Sequence, residues 1–522
     1  MNRAIKPSSE NTQENKEDDP PDSLVLKNKI SKIKLEEPLN PVRKNRLNLI
    51  SIKRVEFSNR VKKVGSFFVL KERGAINIKP GFNERGIRFN LENQSFEIIY
   101  PENIWPKYPP FQKKLLSENL TFALTFHLPY FNQRNSLNYL MARPVSEPFL
   151  FKGFISALPS TALMKKESTT KLIKKLFEID YHFIQGKNIL TTNLFPRQTN
   201  KTAILPFSFG KDSLLTYSLL KELGINPIPV FVKEPLSVEE NYHIEILAKK
   251  FFEEFKEKVL FIENQAGKLR EAGEGWYGWE LQLTQYAIML LPIIWAKKAR
   301  YLFFSNEQSC NEEFLDKEGF WCNPVYEQSV KWLEQMNDLF QILGMKNLEV
   351  GSLIEPLNDL AIVKILHHRY PKIAKYQTSC SAETPEAKFN RWCGNCSKCA
   401  RLFIFFLANK IDPKKIGIPT NMLELKYKNK YALFEDGNNK DSAYDESRVG
   451  RDEQLLAFFL AYKNGKKGEL IDLFKSLYLK EAEKREKELK EEYFGIHSTK
   501  TLPKELKDKL LNIYKEELKN LK

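Results

Sequence analysis

The pattern of apolar and polar positions divides the chain into four segments. Residues 1–45 are polar, charged and Pro-containing, and they predict a disordered tail. Between residues 46 and 160, short runs rich in β-branched and aromatic residues are separated by Gly, Asn and Pro, and they predict a β-rich N-terminal domain. These runs are GSFFVL, AINI, GIRFNL and SFEIIY.

Residues 161–410 follow a different pattern, in which helical and extended segments alternate. STTKLIKKLFEIDYHFI predicts a helix, AILPFSF a strand, and SLLTYSLLKELG a helix that ends at Gly224. Strands are also predicted at INPIPVFV, KVLFIE and RYLFFS. A helix is predicted at VEENYHIEILAKKFFEEF and one long apolar helix at WELQLTQYAIMLLPIIWAKKA. This alternation predicts parallel βαβ units and an α/β, doubly wound sheet.

Residues 411–522 form the fourth segment, a Lys/Glu-rich region that predicts helices. KEAEKREKELKEEY has the close-spaced opposite charges of a solvated helix. In the doubly wound sheet, ligands bind beyond the carboxyl ends of the strands. We therefore expect Ser208–Ser213 and Ser305–Ser309 to border one crevice.

The loop between AILPF and SLLTYSLL has the chemistry of a phosphate-binding loop. Gly210 permits a tight turn, and the first amides of the following helix favour an anion. Ser208 and Ser213 can donate hydroxyl hydrogen bonds, Lys211 adds positive charge, and Asp212 can hold a magnesium-bound water or contact a ribose. An ordinary strand-to-helix turn capped by Asp212 or Ser213 is the alternative. The spacing excludes a Walker loop.

The cysteines suggest a metal centre. Four of the six lie at positions 380, 393, 396 and 399, and the Cys-x-x-Cys-x-x-Cys spacing with a fourth thiol suits tetrahedral zinc. We expect Cys380, Cys393, Cys396 and Cys399 to hold a structural Zn²⁺. A four-iron cluster and unligated buried thiols are the alternatives.

Composition limits the class of protein. An apolar content of 42% indicates a sizeable core, and a net charge of +16 suits an anionic substrate, nucleic acid or a generally Lys-rich proteome. We find no RNA-binding module. The N-terminus lacks an apolar signal segment, and the longest apolar run, at 286–296, is too short to span a bilayer. These features predict a cytoplasmic protein without a membrane partner.

The segment FSFGKDSLLT resembles the Ser-Gly-Gly-x-Asp-Ser pyrophosphate loop of the PP-loop ATP pyrophosphatases. Phe209 replaces the first glycine of that pattern. A negative φ would accommodate it, but its side chain narrows the approach to phosphate and points to a degenerate, non-catalytic scaffold as an alternative. The resemblance implies a nucleotide site formed by Ser208, Phe209, Gly210, Lys211, Asp212 and Ser213. It also implies ATP and Mg²⁺ as cofactors, and cleavage of ATP between its α- and β-phosphates.

Several stretches together resemble the MurL-type UDP-N-acetylmuramoyl-L-alanyl-L-glutamate epimerases. Besides the loop, they are FFSNEQSCNEEF…WCNPVYEQSVKWLEQM, GSLIEPLNDLAIVKIL, SC…WCGNCSKCARLFIFFLA and LFEDGNNKDSAYDESRVGRDEQLLAFFLA. The resemblance covers roughly residues 50–465 and departs near CNPVYEQS. It implies that the terminal L-Glu carboxylate of a UDP-sugar dipeptide, a peptidoglycan precursor, becomes an acyl-adenylate and is then epimerised.

Inversion of a carbon centre needs an acid and a base on opposite faces. The candidates near the expected crevice are Glu307, Cys310, Cys322 and Tyr326, with Lys211 and Asp212 on the phosphate side. Polar loop residues and nucleotide contacts are the alternative for this set. Two other functions stay open: a PP-loop enzyme that adenylates another acceptor, such as a tRNA-modifying or cyano-deazaguanine-synthase-like enzyme, and a non-catalytic nucleotide-binding scaffold.

Overall fold

The computed structural model describes residues 74–130, 134–184, 200–272, 279–380, 385–434 and 447–519. All of these lie in the compact unit Ser66–Lys522. The predicted tail at 1–45 and the run GSFFVL lie outside the described residues. The predicted domain boundaries at 45, 160 and 410 stay predictions.

Three strands predicted from the N-terminal runs are confirmed: β1 (Ile76–Lys79), β2 (Gly86–Leu91) and β3 (Gln94–Ile99). The expectation of a β-rich segment was incomplete, because two long helices also lie there. They are α1 (Pro110–Thr125) and α2 (Glu147–Lys165), with β4 (Ser136–Tyr139) between them. Both helices begin at or beside a proline, which favours the first turn of a helix.

The predicted helix at STTKLIKKLFEIDYHFI was wrong in its second half. The structure has α3 (Thr169–Phe177) followed by β5 (Asp180–Phe183). Pairing of β5 with β4 decides this, since Leu137 lies opposite Tyr181 in a parallel ladder. Tertiary contacts override a short helical pattern in such cases.

The elements predicted between β6 and β9 are confirmed in order and type, with one exception. The structure has β6 (Asn200–Pro206), α4 (Lys211–Glu222), β7 (Asn226–Lys233), α5 (Val238–Phe255), β8 (Leu260–Asn264) and β9 (Ala299–Phe303). The exception is the long apolar helix, which is divided into α6 (Gln282–Met289) and α7 (Leu291–Lys297). Pro292 explains the break, because it lacks a backbone N–H and cannot continue the ladder of α6.

The remaining elements follow β9. A short hairpin joins β10 (Phe314–Leu315) to β11 (Trp321–Cys322), and β12 is Glu349–Gly351. The helices are α8 (Val330–Ile342), α9 (Asp359–Arg369), α10 (Pro371–Ala374), α11 (Ser397–Ala408), α12 (Pro413–Ile416), α13 (Arg448–Lys463), α14 (Glu469–Leu477), α15 (Leu479–Tyr493) and α16 (Lys504–Leu518). The predicted solvated helix at KEAEKREKELKEEY is α15.

Within the described ranges, one sheet has ten strands in the order β12-β9-β6-β7-β8-β3-β2-β1-β4-β5. The five strands from β12 to β8 are parallel to one another. β3 joins β8 in an antiparallel ladder, so the N-terminal strands extend the same sheet. The α/β class and the mostly parallel sheet are therefore confirmed.

Successive residues of β6 enter opposite sides of the core. Ala203 and Leu205 pack in one buried cluster, with α4, α9 and α11, whereas Ile204 packs in another, with α1, α6 and α8. A strand buried on both faces needs apolar residues at every position, which explains the unbroken run AIL. None of the helices that the structure describes is long and apolar enough to cross a membrane.

Candidate functional site

The order of the parallel strands places a crevice beside β6. In chain order, β6, β7, β8, β9 and β12 are the first to fifth strands, so their spatial order is 3-2-1-4-5. β7 and β8 extend the sheet on one side of β6, whereas β9 and β12 extend it on the other. Ligands of open α/β sheets bind at such a topological switch point, which lies here between β6 and β9. The loops that follow Pro206 and Phe303 both leave the sheet there. Ser208–Ser213 and Ser305–Ser309 therefore follow the carboxyl ends of two neighbouring parallel strands, as predicted.

The backbone of the phosphate loop differs from the prediction at Phe209. Its φ is +56°, so it does not adopt the negative φ that would accommodate a non-glycine residue without strain. A left-handed backbone costs a non-glycine residue about 1–2 kcal/mol. The Phe209 side chain is fully buried and packs against Phe207, Phe251 and Tyr376, which offsets that cost. Phe209 therefore lies in the core and does not narrow the space above the loop.

Gly210 has a different role from the one predicted. Its φ of −68° is open to any residue, so it does not provide a special turn. A Cβ at this position would lie 3.3 Å from the Ser208 hydroxyl oxygen, which makes the position crowded. Neither Asp212 nor Ser213 caps the helix: Gly210 is the N-cap, and the Ser213 hydroxyl donates to the Gly210 carbonyl at 3.2 Å. The N-cap residue of α4 thus makes no side-chain cap bond, and of the first-turn amides that of Lys211 donates to the Ser379 hydroxyl oxygen at 3.2 Å.

Lys211 lies at the centre of a buried cluster of charges. Its Nζ is 2.6 Å from Asp212 Oδ1 and 2.6 Å from Asp359 Oδ1. Although burial opposes its charged form, these two carboxylates raise the pKa of Lys211. The second oxygen of Asp359 lies 3.6 Å from Nε of Arg401. Burial also opposes the charged form of Asp359, but Lys211 and Arg401 hold its pKa below the usual range.

Sequence reasoning missed Asp359 and Arg401. Asp359 is the first residue of α9, and Arg401 lies in α11. The sequence Asn358-Asp359 directly before an apolar run is typical of the start of a helix. This pattern does not predict which charged residue Asp359 contacts. No local pattern pairs either residue with Lys211.

Glu307 joins the same cluster from the loop after β9. Burial, and then the neighbouring charge of Asp359, raise the pKa of Glu307 to about 7. The carboxylate accepts a hydrogen bond from the Ser309 amide at 2.8 Å and another from the Ser309 hydroxyl. A carboxyl group of this kind exchanges a proton near neutral pH, which suits a general base.

The other predicted proton-transfer residues are distributed differently. Cys310 donates to Glu307 Oε1 at 3.4 Å, so it borders the cluster. Cys322 pairs in the short hairpin, where its thiol donates to the Asn323 carbonyl at 3.6 Å. Burial raises the pKa of both thiols, that of Cys322 to about 12, so both are protonated at neutral pH.

Tyr326 is directed away from the phosphate loop. Its hydroxyl donates to Gln335 Oε1 at 2.8 Å, and its ring packs in the core cluster that contains α1 and α8. Burial raises the pKa of Tyr326 as well. Of the predicted set, the structure thus brings Lys211, Asp212, Glu307 and Cys310 together.

A second buried polar cluster lies at the same edge of the sheet and was also missed. Glu234, directly after β7, accepts from Arg270 Nη1 at 2.6 Å and from Asn264 Nδ2 at 2.8 Å. The Tyr286 hydroxyl donates at 2.8 Å to Glu234 Oε1, the same oxygen that accepts from Asn264. These groups fix the loops after β7 and β8 beside the crevice. The run REAGEGWYGWE, which follows, lies mostly outside the described residues.

The four predicted metal ligands come together. The sulfurs of Cys380, Cys393, Cys396 and Cys399 all lie within 4.8 Å of one another, and Sγ of Cys393 and Cys399 are 3.9 Å apart. Tetrahedral Zn²⁺ with bonds of about 2.3 Å separates its sulfurs by about 3.8 Å. Backbone amides of Cys393 and Cys399 donate to Sγ of Cys380 and Cys396 at 3.3 and 3.4 Å. The cluster therefore fits a tetrahedral metal ion such as zinc.

No family model, curated protein or solved structure matched this chain in the comparisons.

Proposed function

We propose that the protein is an ATP-dependent enzyme of the PP-loop type that activates a carboxylate as an acyl-adenylate. The observation that carries this proposal is the group of buried Lys211, Asp359 and Glu307 with half-buried Asp212 at the switch point, beside the N-terminus of α4. A helix N-terminus and a lysine favour a polyphosphate. Carboxylates beside it are the ligands that Mg²⁺ prefers.

Each residue of the crevice would have a separate role in adenylation. The amides of Asp212 and Ser213 at the start of α4, with the Ser208 hydroxyl, would hold the β- and γ-phosphates, because the Lys211 amide and the Ser213 hydroxyl already have protein partners. Lys211 would stabilise the negative charge that develops as the carboxylate oxygen attacks the α-phosphorus and pyrophosphate leaves. Mg²⁺, held by Asp212 and Asp359, would neutralise phosphate charge. Lys211 already lies between these carboxylates, so a shift of its Nζ toward phosphate would free their oxygens.

We propose epimerisation as the second step, with the terminal L-Glu of UDP-MurNAc-L-Ala-L-Glu as the acceptor. Adenylation removes the carboxylate charge and acidifies the α-carbon, so a base with a pKa near 7 can remove its proton. Glu307 has that property. Return of a proton to the opposite face and hydrolysis of the adenylate then give D-Glu and AMP. The resemblance of the sequence to the epimerases supports this acceptor, and the basic net charge suits it.

The buried position of Phe209 also supports a functional loop. That residue was the reason to consider a degenerate, non-catalytic scaffold, but its ring lies in the core. The protonated thiols of Cys310 and Cys322 do not favour a thiolate-dependent, tRNA-thiolating reaction.

The test is pyrophosphate release from ATP and Mg²⁺ with three acceptors: UDP-MurNAc-L-Ala-L-Glu, its D-Glu epimer, and bulk tRNA. We expect release with the L-Glu compound, and incorporation of solvent deuterium at its α-carbon in D₂O. Asp212→Asn should reduce the rate roughly 10²-fold, because it removes a charge at the phosphates. Asp508→Asn, at an exposed position of α16, is the matched control and should leave it unchanged.

The outcomes separate the functions. Turnover with tRNA alone would assign the protein to RNA modification. Pyrophosphate release without deuterium incorporation would support adenylation and reject epimerisation. Absence of release with all three acceptors would reject the proposed function.

A further inference from the structure

The cysteine cluster and the phosphate loop are joined by a short segment, Thr378–Cys380. The Thr378 amide donates to the Phe209 carbonyl at 2.8 Å. The Lys211 amide donates to the Ser379 hydroxyl oxygen at 3.2 Å. The next residue, Cys380, belongs to the metal cluster. Two consecutive residues before a metal ligand thus hold the backbone of the loop on both sides of Gly210.

A second connection runs through side chains. Arg401 lies in α11, whose N-cap is Cys396. Its Nε is 3.6 Å from Asp359, which in turn lies 2.6 Å from Nζ of Lys211. The helix that carries Cys399 therefore also helps to place the charge of Lys211.

The segment Thr378–Cys380 also makes hydrogen bonds to residues near the other cysteines. The Thr378 hydroxyl donates to the Arg391 carbonyl at 2.9 Å, and the Cys393 amide donates to Cys380 Sγ at 3.3 Å. Loss of the metal would release Cys380 from the other three thiols. Thr378 and Ser379 would then keep only their contacts with Arg391 and Gln377 on this side. The left-handed backbone of Phe209 persists only while its surroundings hold it.

We propose that metal occupancy of the Cys380–Cys399 cluster fixes the anion-binding conformation of residues 207–211, with Ser379 as the positioning residue. The cluster then acts on the nucleotide site without contacting the nucleotide. The coupling itself needs only the contacts above. Its effect on ATP affinity rests on the proposed function.

The test compares three samples of the full chain: metal-loaded, chelator-treated, and metal-loaded Ser379→Ala. Hydrogen exchange of the amides of residues 207–214 is the readout that needs no ligand. We expect exchange roughly ten times faster after metal removal. Ser379→Ala should keep its metal, exchange faster in the same amides, and bind Mg·ATP about fivefold more weakly. Ser476→Ala, which removes a hydroxyl from an exposed turn of α14, is the matched control.

Unchanged exchange of residues 207–214 in both the chelated protein and Ser379→Ala would overturn the proposal. If chelation unfolds the chain, judged by circular dichroism, the Ser379→Ala sample decides alone, because it retains the metal. Metal-dependent exchange in a protein that binds no ATP would reject the proposed function and support the coupling.

Discussion

Phe209 stands where a glycine-rich loop has glycine, yet its side chain does not occupy the space above the loop. The residue combines a φ of +56° with a fully buried ring. The Thr378 amide donates a hydrogen bond to the Phe209 carbonyl, which fixes the backbone, and the packed aromatic neighbours fix the Phe209 side chain. The sequence predicted an obstruction at this position, whereas packing converts it into an anchor.

Glu307 gives a prediction about pH at the residue scale. Its pKa of about 7 exceeds the ordinary 4.5 because burial disfavours the charged form. The folded state therefore binds more protons than the unfolded state between about pH 4.5 and 7, and stability falls as pH rises through that window. Glu307→Gln removes this dependence. We expect the variant's unfolding free energy, relative to wild type, to increase by about 2–3 kcal/mol from pH 5 to pH 8.

Urea unfolding of both proteins at pH 5, 6, 7 and 8 measures this difference. Glu334→Gln, at an exposed position of α8, is the control and should give a constant difference. A constant difference for Glu307→Gln as well would show that its carboxyl group is already ionised at pH 5 in the folded protein.

At the scale of elements, one buried carboxylate holds the segment that leads into α16 against the end of the central sheet. Glu355, shortly after β12, is buried and accepts from the amides of Lys500 and Thr501 at 3.0 and 2.8 Å. The hydroxyls of Ser498 and Thr501 donate to it too. Gly351 permits the close approach, because a Cβ there would lie 2.2 Å from the Thr501 carbonyl oxygen. These contacts hold the segment before α16 close to the end of β12.

Glu355→Ala should therefore destabilise the protein by about 2–4 kcal/mol, since it leaves several donors without an acceptor. Denaturant unfolding gives the magnitude, and hydrogen exchange in α16 shows whether the loss is local. Glu483→Ala, an exposed glutamate of α15, is the control and should change stability by less than about 0.5 kcal/mol. Equal effects of the two substitutions would mean that Glu355 does not hold the segment.

At the scale of the whole molecule, the cysteine cluster joins parts that are far apart in the chain. α11 packs in the core cluster that also contains α4, α9 and α13 to α16. Cys399 is fully buried at the start of α11, so a metal ion here ties the phosphate loop to the C-terminal helices. Structural zinc contributes directly to folding free energy.

Cys399→Ser should accordingly reduce the metal content from about one ion per chain to near zero and lower Tm by about 5–10 °C. Elemental analysis and thermal unfolding measure the two effects. Cys322→Ser is the matched control, because Cys322 is equally buried but lies outside the cluster. Full metal content in Cys399→Ser would contradict a four-thiolate site.

Local patterns were sufficient for much of the fold and for part of the site. The run AILPFSFGKDSLLT predicted a strand, a loop and a helix, because apolar spacing and the polar loop are properties of neighbouring residues. The spacing of the cysteines predicted their cluster for the same reason. Pro292 also carried a local signal. A proline inside an apolar helical pattern predicts a break there, and the single long helix predicted for this run was therefore wrong.

The sequence by itself therefore determined the alternation of helices and strands, the position of the loop between β6 and α4, and which four cysteines cluster. Tertiary structure alone decided which residues complete the charge cluster, the left-handed backbone of Phe209, and the pairing of β3 with β8. The physical reason is sequence separation. Ser379 contacts Lys211 across 168 positions, and such a contact follows from how the whole chain packs, which no window of local sequence encodes.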